Sequence, residues 1–163
     1  MKRMSTEHDQ LRQVAAWLAE ANFAVAFTGA GISTESGIPD FRSPGGIWAT
    51  STPVYFDEFL ASAEARQEYW RQKCASHADF SQAQPNAGHL TLAGWEQADR
   101  LLVVITQNID GLHQEAGSKE VLALHGTARK VGCLDCGAMF EPDPLDAHFR
   151  STHEVPACQD CGG

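Results

Sequence analysis

Four cysteines in two close pairs, Cys133-Leu134-Asp135-Cys136 and Cys158-Gln159-Asp160-Cys161, carry the sharpest chemistry in this sequence. Two thiolates three positions apart can point at one ion, and Gly137 and Gly162 follow the pairs where a metal knuckle turns tightly. Four thiolates complete a tetrahedral shell for Zn²⁺ and leave no position open for water or substrate, so the expected site is structural. A redox CxxC is the competing reading. His148 and His153 lie between the pairs and are expected at the surface, since the cysteines already fill the shell. Cys74 is expected to be an unpaired cysteine in a polar helical stretch.

Three further clusters could do chemistry. Gly29-Ala30-Gly31 would let the backbone approach a phosphate and offer amide donors, with Ser33 and Thr34 adding hydroxyls or capping a helix. The spacing departs from the dinucleotide fingerprint, because Thr34 stands where a third glycine would be. A tight strand-to-helix turn explains the same glycines. Gln107, Asn108 and Asp110 could hold a ribose or a carboxamide, or serve as a helix cap with solvent contacts. His125, between an apolar run and Gly126, is placed to act as a general base, against the plainer reading of a structural histidine. His113 is less well placed, on the helix that follows Asp110.

The elements that must position these groups alternate in type. Thr6 with Asp9 forms a capping box ahead of Leu11, Val14, Ala15 and Leu18 at helical spacing, and Asn22 ends that helix. Apolar runs over 23–27, 101–105 and 121–124 read as strands, with helical patterns over 89–98 and 110–116 between them. The continuous first run predicts burial on both sheet faces. Strands alternating with helices predict an α/β fold with a parallel, Rossmann-like sheet, whose ligands bind beyond the carboxyl ends of the strands. The clusters at 29–34, 107–110 and 125 all fall at those ends. Residues 43–85 show no strand signal and read as a loop followed by small helices. The division expected is 1–126 for the sheet domain, with 43–85 as an insertion, and 127–163 for a small metal module.

Composition bounds the partners. The chain has 163 residues, 12 Lys and Arg against 21 Asp and Glu, and a formal net charge of -9. That argues against a protein held mainly by a nucleic-acid backbone. No apolar run approaches the roughly 20 residues needed to cross a bilayer. The first nine residues contain no apolar segment of the secretory type, which makes the cytoplasm the expected compartment.

Taken together, the stretch from Gly29 to Arg42, with Ser36-Gly37-Ile38-Pro39-Asp40-Phe41-Arg42 after the glycine turn, resembles the signature of the sirtuins, Sir2-type NAD-dependent protein deacylases. Thr106-Gln107-Asn108-Ile109-Asp110-Gly111-Leu112-His113 is similar to their second motif and Leu124-His125-Gly126 to their third, with the cysteine pairs following in family order. The resemblance implies that Gly29, Ala30, Gly31, Ser33 and Thr34 line the NAD diphosphate turn, and that Ile38, Asp40, Phe41 and Arg42 form the mobile cofactor loop. Phe41 would shield the reacting ribose. It further implies that Asn108, Ile109 and Asp110 hold the nicotinamide carboxamide, Gln107 the ribose, and that His125, with Asn108, is catalytic. In the family's reaction the acyl-lysine carbonyl oxygen attacks C1′ of the ribose, nicotinamide departs, and the base activates a ribose hydroxyl that takes the acyl group.

The partners so implied are acyl-lysine proteins, the cofactors NAD and a structural Zn²⁺. A Tyr-x-x-Arg pair marks the sirtuins that remove succinyl groups; here Tyr69-Trp70-Arg71-Gln72 places Gln at the Arg position, which favours acetyl or longer apolar acyl groups. Local likeness to the mitochondrial class II branch adds ADP-ribosyl transfer as an alternative activity. Against the family pattern the chain is expected to be C-terminally truncated, with about half the strands of the sheet and an uncovered apolar surface. The rival expectation is a zinc-binding module unable to hold NAD.

Overall fold

A computed structural model describes residues 6–49 and 51–163. Helix α1 (Glu7–Glu20) begins at the expected capping box: Asp9 N–H donates to Thr6 Oγ1 at 3.3 Å while Thr6 N–H donates to the Asp9 carboxylate at 3.2 Å. It ends at Ala21, one residue before Asn22. The first five residues, part of the segment read for a secretory signal, lie outside the described residues.

Strand β1 (Val25–Thr28) pairs in parallel with β2 (Val103–Thr106), and β2 with β3 (Val121–Ala123), in the order β1-β2-β3. In this register Val25, Phe27, Val103, Ile105 and Leu122 share one face, because paired residues of parallel strands project together and successive ones alternate. Val104 and Thr106 on the opposite face are buried. The expectation that the first strand is buried on both sides is corrected: Phe27 is 62% exposed, and Val25 and Leu122 on the same face are also exposed. Among the described residues that face carries no covering layer, which is the uncovered apolar surface the family resemblance implies.

The insertion also differs from expectation. A 3₁₀ turn (Ile47–Ala49) and short helix α2 (Phe56–Ala61) lead into α3 (Ala63–Gln82), a single helix of 20 residues. Its composition is polar, so no broad apolar stripe announces it; what orders it is a narrow seam. Trp70 and Cys74, one turn apart, are buried against Leu145 and Phe149 of α6 (Pro142–Thr152). Trp70 and Phe149 stack with centroids 6.2 Å apart. Beside them His77 Nε2 lies 2.7 Å from Asp143 and Nδ1 3.5 Å from Asp146, both on α6.

Helices α4 (Ala87–Gln97) and α5 (Leu112–Glu115) pack on each other, and the hairpin of β4 (Val131–Gly132) and β5 (Met139–Phe140) precedes α6. No described helix is long and apolar enough to cross a membrane. Truncating Phe149 to Ala should lower the unfolding free energy by about 3 kcal/mol, the cost of emptying a buried aromatic site, read from the midpoint of a urea titration.

Candidate functional site

The carboxyl ends of β1 and β2 meet in one buried polar network. Asn108 Nδ2 donates to Gly29 O at 3.1 Å and to Ser33 Oγ at 3.0 Å, joining the two strand-end turns. Ser33 Oγ donates to Asp110 Oδ2 at 2.7 Å, and Leu112 N–H donates to Asp110 Oδ1 at 2.9 Å, so the carboxylate also caps α5. Gly111 takes the left-handed conformation, φ 78°, that turns the chain into that helix. Ser33 and Asp110 are almost fully buried. The Ser33 hydroxyl thus holds the turn together in this conformation, and the Thr34 hydroxyl folds back onto Gly31 O at 2.9 Å. The turn itself stays open: Gly31 has nothing within 4 Å of where a Cβ would sit. The amides that open the 3₁₀ turn (Ala30–Ser36) have no intrahelical acceptor.

His125 sits beside this network. Its Nδ1 lies 2.9 Å from the backbone oxygen of Gln107. A carbonyl only accepts, so Nδ1 carries the proton and the Nε2 lone pair is left to act as a base. His125 lines a cleft of about 1490 Å³, together with Ile38, Phe41, Trp48, Tyr69 and Ile109.

The loop between them is closed tightly. The Asp40 carboxylate accepts from the backbone of Arg42 and from Ser43, whose hydroxyl and amide hold its carboxyl below the usual range. A Cβ on Gly46 would stand 2.7 Å from Asp40 O, a contact only glycine avoids. The Arg42 guanidinium lies 4.7 Å from the Trp48 ring centre, and Phe41 packs against the same ring at 5.6 Å. The structure thus joins the glycine turn, Asn108 and Asp110 in one network with His125 held on the Gln107 backbone, and rests Arg42 of the 38–42 loop on Trp48.

The four cysteine sulfurs lie within 4.8 Å of one another. Cys133 and Cys161 are 3.6 Å apart and Cys136 and Cys158 3.7 Å, close to the edge of about 3.8 Å that a tetrahedron with Zn–S bonds near 2.3 Å requires. Gly137 N–H donates to Cys133 O and Gly162 N–H to Cys158 O, and both glycines have positive φ, so the pairs are equivalent knuckles. Backbone N–H groups of Cys136 and Asp135 hold the Cys133 thiol down to about 7, while the facing sulfurs push Cys136 up and Cys161 up to about 12, so it is the geometry of the four sulfurs that speaks for a metal. The donor set fits zinc.

Residues 29–163 match the Sir2 family. The chain belongs to that family. It is 46% identical over 153 residues to an NAD-dependent protein deacetylase of Rhodopseudomonas palustris, covering 93% of this chain and 60% of the relative. It is 33% identical over 184 residues to the mitochondrial NAD-dependent protein lipoamidase sirtuin-4 of Bos taurus, covering 95% and 58%. Among solved structures, a Sir2 with p53 peptide and NAD⁺ superposes with a TM-score of 0.82 at 36% identity, covering 94% of this chain and 60% of that one. The chain thus spans about 60% of the length of these relatives.

Two histidines of this Sir2-family chain have a burial that the sequence does not announce, although His113 does lie on the helix expected after Asp110. His89 on α4 and His113 on α5 are fully buried, with ring centres 4.8 Å apart. His89 Nδ1 accepts from Asn86 N–H at 3.3 Å, and its Nε2 faces Ser33 Oγ at a long 3.5 Å. His113 Nε2 lies 2.9 Å from Thr28 Oγ1. Burial, then the neighbouring His89, pushes His113 down to about 4, with Asp110 opposing. The one signal available is their placement at the starts of helices that follow Asn86 and Gly111.

Purified from zinc-containing medium, the chain should carry one zinc, and Cys158→Ser should lower that content well below one, measured by elemental analysis. Below its ordinary 6.5 the unfolded chain protonates His113, while the folded chain refuses the proton down to about 4. Urea-unfolding stability should therefore fall as pH drops from 6.5 to 4, by on the order of 3 kcal/mol from this group.

Proposed function

We propose that this chain carries the NAD-contacting and zinc-binding parts of an NAD-dependent protein lysine deacylase, a transferase that moves the acyl group of an acyl-lysine protein to ADP-ribose with release of nicotinamide. The observation that carries the reading is the His125 tautomer: with Nδ1 committed to Gln107 O, Nε2 is the basic atom beside the strand-end network. Bound NAD supplies a ribose C1′ whose nicotinamide can leave. Ala30 and Gly31 would face its diphosphate from the open glycine turn, with Gly29, Ser33 and Thr34 shaping that turn. Asn108, Ile109 and Asp110 would hold the carboxamide, Gln107 the ribose, and Ile38, Asp40, Phe41 and Arg42 the covering loop.

His125 would take the proton of a ribose hydroxyl, a step that needs a neutral imidazole. Cys133, Cys136, Cys158 and Cys161 would hold Zn²⁺ away from the chemistry, within a module of residues 127–163 attached to a sheet domain of residues 1–126. Four metal-binding thiols fit the cytoplasm, where they stay reduced.

The acyl group we assign is acetyl or a longer apolar chain. Gln72 stands where a carboxylate-binding Arg would be needed, and its amide donates to Thr52 O at 2.9 Å and to Glu68 at 2.7 Å. A solved Sir2Tm bound to a propionylated peptide, 36% identical with a TM-score of 0.79, supports room for more than acetyl in such a site.

A second reading, carried by the four clustered sulfurs, is a zinc-binding module that does not hold NAD. Calorimetric titration of the zinc-loaded chain with NAD separates the two. Saturable heat supports the deacylase, and its absence supports the module. With an acetyl-lysine peptide, His125→Ala should reduce nicotinamide-coupled deacylation at least 100-fold while leaving NAD affinity within about threefold. Undiminished turnover by this variant would remove His125 from its role.

A further inference from the structure

A chain of hydrogen bonds runs from His113 to the backbone of Asn108. Thr28 Oγ1 donates to Thr106 Oγ1 at 2.9 Å, so it accepts from His113, and the Nε2 atom carries the imidazole proton. Thr106 Oγ1 in turn accepts from Asn108 N–H at 3.0 Å. The chain crosses from α5 to β1 to β2 and ends on the residue whose side chain ties Gly29 to Ser33.

The other nitrogen of His113, Nδ1, is buried without a partner, and the ring is 1% exposed. A second proton there would meet no acceptor, and its charge would face the His89 ring. Geometry thus selects the neutral, Nε2-protonated form. The titratable groups that face it among the described residues are His89 from α4 and Asp110 from the turn after β2.

We propose that His113 is a positioning residue for the NAD site, which through Thr28 and Thr106 fixes the backbone of Asn108 and so the joint between the two strand-end turns. The ligand in this inference rests on the deacylase reading; the positioning does not. Asn108 needs such a device because its side-chain amide must serve Gly29 O and Ser33 Oγ together, and a shift of its backbone would break one bond or the other. Removing the Thr28 hydroxyl interrupts the relay without touching His113, Asn108 or any group proposed to meet the cofactor.

Amide hydrogen exchange by NMR, paired with NAD calorimetry at pH 7, tests this on the zinc-loaded chain. Thr28→Val and His113→Phe should each speed exchange of Asn108 N–H at least tenfold and weaken NAD binding at least tenfold. Val104 N–H, bonded to Glu120 O within the same sheet, should keep its protection. His113→Gln keeps a donor near the Nε2 position and should restore both readouts to within about threefold.

Equal acceleration at Val104 would reduce His113 to a general packing role and overturn the proposal. So would unchanged exchange at Asn108 in Thr28→Val, or a His113→Gln variant as damaged as His113→Phe. If His113→Phe does not fold, Thr28→Val alone decides. Should the unaltered chain show no heat with NAD, the deacylase reading falls, while the Asn108 exchange comparison still decides the positioning.

Discussion

Asp110 places a carboxyl group where water does not reach, and an isolated buried carboxylate is intolerable unless donors surround it. Two regions of the chain donate to the carboxylate, and a third donates to the backbone carbonyl of the same residue. Ser33 reaches in from the glycine turn, Leu112 N–H from the first turn of α5, and Arg129 Nε donates to the Asp110 carbonyl at 2.6 Å from the segment that leads to the cysteine module. Ala128 N–H adds a bond to Ile109 O at 2.8 Å. One residue thereby joins the ends of two strands, the start of a helix and the exit to the metal module. The position of His125 follows from the same frame, since the backbone of Gln107 that orients it is itself bonded to Thr28 O at 3.0 Å.

The second organising feature is the seam between α3 and α6. It brings a polar insertion helix and the metal module together through two aromatic rings, Trp70 and Phe149, and the His77 contact with two carboxylates. The cleft is lined by residues of this seam and of the strand ends alike, Tyr69 and Trp70 among the former and Ile109 and His125 among the latter. Its shape therefore depends on how the insertion packs as much as on the sheet.

What the sequence makes legible follows from locality. A capping box, an apolar run closed by glycine, and two CxxC pairs are decided within a few residues, so the helix start at Thr6, the glycine turn after β1 and the clustering of the four cysteines are legible there. The length of α3 is set by tertiary contact: its polar residues gain helical order from Trp70 and Cys74 packing on another element, a relation that no window of the sequence contains. His89 and His113 illustrate the same limit. Each is one polar residue on a short helix, and their burial against each other arises only when α4 meets α5. The bare face of β1 is visible only through the family resemblance, since an apolar run by itself announces that a strand wants cover without saying where the cover comes from.

The knuckle geometry also sets a thermodynamic linkage. Cys136 and Cys158, 22 positions apart, would be joined through one ion, and all of α6 lies in the loop so closed. Removing that much freedom from the unfolded chain is equivalent to about 3 kcal/mol in the loop-entropy description of a crosslink. Because α6 bears the Phe149 ring on which Trp70 rests, the free-metal concentration of the surroundings becomes a variable of the insertion helix too. A bound metal would in this way help govern a wall of the cleft that His125 lines.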